Sequence, residues 1–534
     1  MNPEIITKQL EKFNPKFGIE LAAFSTWQIG GPAEILIITN NSTELEQVLK
    51  IALELDLKTT ILGWGSNVLI SDAGIEGLVI INKSRQCQIV SNSSNSGTNP
   101  TITPRHTHND TSTYDFRDLD YDEDKNLPSS IVEIDSGVDT SYAIAWSHKN
   151  NLTGLQFFSG IPGTIGGALY NNIHGGTKHL SDRFVNCTCL VQVATKPRII
   201  TVCGPGGVGK NTLIRRLVME NSNFVRFTTT TTRAKRDYEI EGNDYNYINV
   251  QEFKDKIENN QMVEFNELFP GVFYGTDRAQ IQKLLDENKT ILFDIDYHGA
   301  DALAKEFSEL VLRIFVLPPS LEELKHRMQE RGDAPAKIIE RMEITKKELV
   351  ISDTFDYTFV NDNLETCYKE IFTTLNQDNH FRKMVFDFEA MNFGYDKSNL
   401  RSNPNIFVLK VALNLQHGNV LKAKFVATEW AKRKRTQPRI SCGSVFQSIS
   451  LEDKNRLGLP TQAAGYIIDK IFGLKGYTVG GVQISPNHGN FIINIGGGKA
   501  SEVLQIIQLI QKRAKEELSL VLHPEINFLG EFES

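Results

Sequence analysis

The chain has 534 residues, too long for one hydrophobic core and enough for roughly three or four units of about 150 residues. Apolar residues make up 40% and charged residues 23%, an ordinary globular balance, and a formal net charge of -8 argues against a nucleic-acid partner. No apolar run approaches the ~20 residues that span a bilayer, and the opening MNPEIITKQLEKFNPKFG has no apolar signal core, so no membrane association and a cytoplasmic location are expected.

Residues 18–83 alternate β-rich runs with one helix, in which Thr43–Leu55 sets Leu45, Val48, Leu49, Ala52 and Leu53 at helical spacing. Ile61–Leu62 and Val68–Ile70 flank a turn holding Gly63, Gly65, Ser66 and Asn67. Backbone donors there suit a pyrophosphate, and a tight packing turn is the equal alternative. Residues 91–129 are dominated by Ser, Thr, Asn and Asp and read as a disordered loop, with His106 and His108 solvated rather than metal-binding. A second run of small residues, GLQFFSGIPGTIGGALYNNIHGG, carries Gly160, Pro162, Gly163, Thr164, Gly166 and Gly167. Backbone can lie close to a ligand there, or simply pack. The six cysteines show no paired metal-ligand spacing, so no metal site is expected from them; Cys187 and Cys189 alternate on one face of a strand as reduced thiols.

A new unit opens near Lys196. PRIITVCGPGGVGKNTLIRRLV reads as strand, glycine loop and helix. Gly204, Gly206, Gly207, Val208, Gly209 and Lys210 fit the phosphate-loop pattern GxxxxGK, and Asn211 and Thr212 follow. The glycines let N–H groups curl round phosphate, the helix adds its positive end, and Lys210 reaches the terminal phosphates. Asn211 stands where a hydroxyl usually binds Mg2+. The α/β pattern runs to about Gln377. Phe184–Ala194 and Phe381–Phe388 are strand-like, and removing 196–377 would leave them joined by a short turn. An exposed hairpin tip of that kind accepts an inserted domain. The expected division is therefore 1–195, 196–377 and 378–534.

Residues 196–377 resemble guanylate kinase over nearly their whole length. The likeness rests on the phosphate loop, TTTTTRAKRDYEIEGNDYNY, MVEFNELFPGVFYGT, ILFDIDYHG and FVLPPSLEELKHRMQERGDAPAKIIERM. It implies ATP with Mg2+ at the loop, and GMP at Thr229, Arg233, Arg236, Glu239, Tyr245, Glu264, Tyr274, Thr276 and Asp296. It also implies a lid carrying Arg327, Arg331 and Arg341, with Lys210, Arg331 and Arg341 catalytic. Arginines and a tyrosine hydroxyl suit a phosphate dianion. A carboxylate accepts from guanine N1–H and N2–H, a pair adenine lacks. Tyr238 and Thr229 stand where that family carries Gly and Ser.

The flanking pieces resemble UDP-N-acetylenolpyruvoylglucosamine reductase, also called UDP-N-acetylmuramate dehydrogenase. Both glycine loops look like its FAD-binding motifs, and CGSVFQ, AAGYIIDKIFGLKGYTVGGVQISPNHGNFIINIGGGKASEVLQII and LHPEINFLG like its substrate domain. The resemblance implies that NADPH reduces FAD and that hydride then reaches the enolpyruvyl double bond of a UDP-sugar. Ser444 matches the proton donor and Glu525 the catalytic glutamate. The FGYRxS arginine is Asp396 here, with Lys397, Arg401 or Lys432–Arg435 as candidate compensating cations.

The expected fold is an α+β FAD-binding two-domain reductase with an inserted α/β P-loop kinase domain, bifunctional, acting on small molecules, its oligomeric state open. Two alternatives stand beside it. One is a reductase carrying a catalytically weak nucleotide-binding regulatory module, which Asn211 favours and Lys210 disfavours. The other is a different FAD-dependent oxidoreductase fused to guanylate kinase, which Asp396 leaves open.

Overall fold

The run IITVC is apolar or small at every position, as a strand covered on both faces requires. It forms strand Ile199–Cys203, buried throughout, at the centre of a five-stranded sheet. The sheet order is Phe224–Arg226, Thr290–Asp294, Ile199–Cys203, Val311–Leu317, Tyr357–Val360, and all pairings are parallel. Its helices bury apolar stripes, such as Leu213, Ile214 and Leu217 of Lys210–Glu220. A four-stranded sheet accompanies it, in which Met262–Phe269 pairs antiparallel with Val272–Asp277.

This computed structural model describes residues 3–93, 119–124, 126–193, 196–376, 381–394, 397–435 and 437–532. The chain separates into two compact units, 191–383 and 1–190 with 384–534. Strands Phe184–Gln192 and Phe381–Asp387, which carry the chain out of and back into the outer unit, are neighbours in one five-stranded sheet. Cys187 and Cys189 lie buried and reduced on the first of them, their sulfurs 3.6 Å apart.

The outer unit holds a second mixed sheet, in which Pro32–Thr39 runs parallel to Ile75–Asn82 and antiparallel to Lys16–Glu20. Helix Ser42–Glu54 covers it with the expected stripe, capped by the Asn41 side chain, which accepts from Glu44 N–H at 2.8 Å. Further on, helix Ala500–Leu518 buries Val503, Ile506, Ile507, Ile510 and Ala514. That core also takes in Trp27, Ile29 and Leu69 from the N-terminal piece, and Trp27 Nε1 donates to the Ile492 carbonyl at 2.6 Å. The two flanking pieces thus share one core. Among the described residues no helix is long and apolar enough to cross a membrane.

The reading of 91–129 as one disordered loop needs correction at its ends. Strand Cys87–Ser93 enters it and strand Ser129–Asp135 closes it. Leu119 and Tyr121 join a cluster with Phe157, Val426 and Trp430, and Glu123 accepts from Arg183 at 2.7 Å. Apolar anchors and a well-shielded ion pair hold this stretch, which an averaged composition conceals. Residues 94–118, with His106 and His108, lie outside the described residues.

Candidate active sites

In the middle unit, strand Ile199–Cys203 ends at Gly204 and helix Lys210–Glu220 begins at Lys210. The loop between them is tight. Gly204 has φ 135°, and a Cβ there would lie 2.3 Å from the Val316 carbonyl. Lys210 Nζ donates to the carbonyls of Gly204 at 2.6 Å and Pro205 at 3.1 Å. Val208 is fully buried, and its carbonyl accepts from Asn361 Nδ2 at 2.7 Å. Asn361 was not singled out from sequence; its signal is its place at the carboxyl end of a parallel strand, where ligand sites gather. Asn211 and Thr212 are exposed, and Asn211 Oδ1 accepts from Arg226 at 3.3 Å.

One cavity adjoins the loop and a second lies beyond it. The first, of about 280 Å3, is lined by Gly204, Gly206, Lys210, Asp296 and Glu348 among others. The second, of about 240 Å3, is lined by Thr229, Glu264, Tyr274, Thr276 and Asp296 among others. They share Asp294, Ile295 and Asp296 as a wall. Glu264 faces Thr276 across the paired strands, and Thr276 Oγ1 donates to its carboxylate at 2.6 Å. Burial pushes the Glu264 carboxyl up, the Thr276 bond opposes this, and the Asp296 charge adds to it. Asp296 also caps helix Tyr297–Phe307, accepting from Gly299 N–H at 2.9 Å.

Arg233, Glu239 and Tyr245 cluster beside Tyr274. Arg233 donates to Glu239 at 2.6 Å, and its guanidinium lies 5.2 Å from the Tyr245 ring centroid. The Tyr245 and Tyr274 rings are 5.8 Å apart. Glu239 is buried and also accepts from Tyr247 Oη and Arg236 N–H; the Arg233 bond leads in holding its carboxyl down at about 2. Glu239 therefore organises the arginine. Tyr247 shares that task, and sequence reading missed it. Arg236 is exposed, and donates to Tyr238 Oη at 2.8 Å.

The three arginines expected on a lid divide. Arg331 and Arg341 both pair with Asp333, the second at 2.9 Å, and the Arg341 guanidinium lies beside Gly206. Arg327 instead donates to the backbone carbonyls of Asn361 and Asp362. Asp333 is a further residue that sequence reading passed over.

In the outer unit the two glycine loops meet. Ser66 Oγ donates to the Pro162 carbonyl at 2.8 Å, and a Cβ on Gly63 would strike Thr164 Oγ1 at 2.5 Å. Gly65 has φ 57°, and a Cβ there would sit 2.2 Å from the Phe24 carbonyl. Gly65→Ala should therefore cost the outer unit about 2–3 kcal/mol. All four tryptophans (Trp27, Trp64, Trp146 and Trp430) lie in this unit, so denaturation followed by tryptophan fluorescence measures it. Gly166 likewise packs on Ser136, and Gly160 on Lys434 and Ala431. Gly163 and Gly167 differ, since added Cβ atoms would meet only Ser66 or Thr164, at 3.5 Å. Small residues here serve the contact between loops at some positions and leave open backbone at others.

Ser444 and Glu525 come from segments that pair. Glu525 N–H donates to the Val445 carbonyl at 2.8 Å, and Gln447 N–H to His523 at 2.9 Å. The Glu525 charge reaches buried Cys442, where burial first and that charge second push the thiol up. Asn67 of the first glycine loop donates to the Glu525 carbonyl at 3.4 Å and accepts from Asn527 N–H at 3.0 Å. Arg401 donates to Asn527 Oδ1 at 3.1 Å, whereas Lys397 is exposed. Lys434 packs against Gly160, and burial pulls its ammonium down to about 8. Tyr395 and Asp396 lie outside the described residues.

A phosphate loop opening a parallel sheet, near a pocket lined by a half-buried carboxylate, defines the middle unit as a P-loop nucleotide-binding domain. Residues 196–378 match the family model described as guanylate kinase. Over 176 residues, 33% of this chain, it is 38% identical to the guanylate kinase of Porphyromonas gingivalis, 94% of which is covered. With that of Prochlorococcus marinus it shares 40% identity over 174 residues, 32% of this chain and 94% of the relative. Through this unit the chain belongs to the guanylate kinase family. Residues 436–529 match the model described as UDP-N-acetylenolpyruvoylglucosamine reductase, C-terminal domain. The solved reductase of that name from Thermus caldophilus is 17% identical, with 96% of this chain and 98% of that one covered and a TM-score of 0.43.

Proposed function

We propose that the chain is a bifunctional enzyme. Residues 196–377 phosphorylate GMP from MgATP, and the remainder is an NADPH- and FAD-dependent reductase that converts UDP-N-acetylglucosamine enolpyruvate to UDP-N-acetylmuramate. In this reading 1–195 and the start of 378–534 hold FAD, and the rest of 378–534 holds the UDP-sugar.

The observation that supports the kinase most is the shared wall of the two cavities, which sets a pocket lined by Glu264 and Asp296 next to the Lys210 cavity. Glu264 accepts from guanine N1–H and N2–H, Thr276 fixes its carboxylate, and Arg233 with Tyr245 holds the GMP phosphate. Lys210, Arg331 and Arg341 bear the charge that spreads over the transferred phosphoryl group. ADP formation from ATP and GMP by the purified protein tests this, and the absence of GMP-dependent turnover sinks it.

Glu264→Gln should raise the KM for GMP about 100-fold, because the carboxamide sets a donor against a donor. The GMP-binding form of Glu264 is the carboxylate, and its carboxyl is raised by burial. Affinity for GMP should therefore fall on acidification, starting at a higher pH than an ordinary glutamate would dictate. The glutamine variant should lack that pH dependence.

For the reductase, the supporting observation is the pairing of the Ser444 and Glu525 segments next to the joined glycine loops. Open backbone at Gly163 and Gly167 suits a flavin nucleotide. Bound FAD would supply hydride transfer between NADPH and the sugar. Ser444 gives a proton to the substrate carbon that does not receive hydride, and Glu525 polarises the site. Arg401, drawn toward the Glu525 segment through Asn527, supplies positive charge for an anionic substrate. Substrate-dependent NADPH oxidation by the flavin-loaded protein tests this half; a protein that holds flavin but ignores the sugar overturns it.

A further inference from the structure

The Lys210 cavity contains a carboxylate that the chemistry above does not use. Glu348 lies on helix Pro335–Ile351, two turns beyond Arg341, and lines the cavity with Lys210, Asp294 and Asp296. Burial, opposed by the Lys210 field and reinforced by that of Asp296, pushes its carboxyl up. A half-buried acid facing the phosphate cavity, with no hydrogen bond from the described residues setting its ionisation, is available to a cation.

The position that usually supplies a metal-binding hydroxyl offers none. Asn211 follows Lys210, it is exposed, and its oxygen is engaged by Arg226. Mg2+ takes hard oxygen ligands in an octahedron, commonly phosphate oxygens, waters and one or two carboxylates. The carboxylate wall of the cavity has that chemistry.

We propose that Glu348 holds the Mg2+ carried by the nucleotide, in place of the hydroxyl missing at position 211. The inference rests on the reading that the middle unit binds ATP, and names which side chain secures the metal. A carboxylate two turns past Arg341 on the same helix also ties metal binding to the position of a lid arginine.

The test uses the full chain, ADP, and Mn2+ as the probe, with free Mn2+ followed by electron paramagnetic resonance. Glu348→Gln should weaken Mn2+ binding to the protein–ADP complex about 10- to 100-fold. Affinity for metal-free ADP should stay within about twofold, which also shows that the loop is folded. Glu348→Asp should recover part of the loss. Unchanged Mn2+ affinity in Glu348→Gln overturns the proposal, and so does an equal loss of ADP with and without metal, which would make Glu348 a counter-charge for Lys210. GMP turnover by the unaltered protein is a separate readout, and its absence would overturn the GMP assignment alone.

Discussion

Lys210→Ala is expected to lower kcat for GMP phosphorylation by about a thousandfold or more, and to leave flavin content and NADPH oxidation unchanged. Phosphoryl transfer asks little covalent chemistry of a protein, so most of the rate comes from positioned positive charge. Lys210 begins the helix behind the loop, and its ammonium already lies over the loop, bonded to the Gly204 and Pro205 carbonyls at 2.6 and 3.1 Å. A phosphate cradled by the loop N–H groups would meet that ammonium directly. Alanine keeps helix propensity and removes the ammonium with its two bonds to the loop carbonyls, so the loss should appear in turnover while the outer unit stays folded. Tryptophan fluorescence checks the outer unit independently, because residues 191–383 contain no tryptophan. Retained turnover would remove Lys210 from the mechanism. Lost flavin would contradict two separately folded units.

The phosphate loop was legible because its signal is local. A strand, six spaced residues and a helix define it, and nothing distant is needed. The residues missed around it depend on contacts that no local pattern encodes, whether near or far along the chain. Asn361 reaches Val208 across 153 positions, and Tyr247 matters only once Glu239 and Arg233 are placed. Glu348 and Asp333 read as ordinary helix and loop charges until the fold turns one toward Lys210 and sets the other between Arg331 and Arg341. In the outer unit the glycines were visible, but their use was not. Gly63 and Gly65 are explained by Thr164 and Phe24, atoms that no local pattern announces. The stretch 91–129 was misread at its ends for the opposite reason, since a polar average hid Leu119 and Tyr121, two residues that anchor the chain to Phe157 and Trp430.

Ser444→Ala is expected to lower substrate-dependent NADPH oxidation by about 10^2- to 10^4-fold, the range for losing a positioned proton donor. Reduction of bound flavin by NADPH alone should keep its rate, because that half needs no proton from Ser444. A hydroxyl is a weak acid, so its site must stabilise the developing negative charge on substrate. The structure gives Ser444 a fixed backbone, since Val445 next to it both accepts from Glu525 N–H at 2.8 Å and donates to the Asn490 carbonyl at 2.9 Å. Cys442, two residues earlier, is buried, and burial together with the Glu525 charge keeps its thiol protonated. It is a poor substitute, because its burial keeps it from substrate. Stopped-flow measurement of the two halves separates the outcomes. A variant slowed only in the sugar-dependent half supports Ser444 as the donor. One slowed equally in both points to damage at the flavin loops, which Asn67 links to the adjoining Glu525 segment. Activity within tenfold of the unaltered protein would assign the proton to another group.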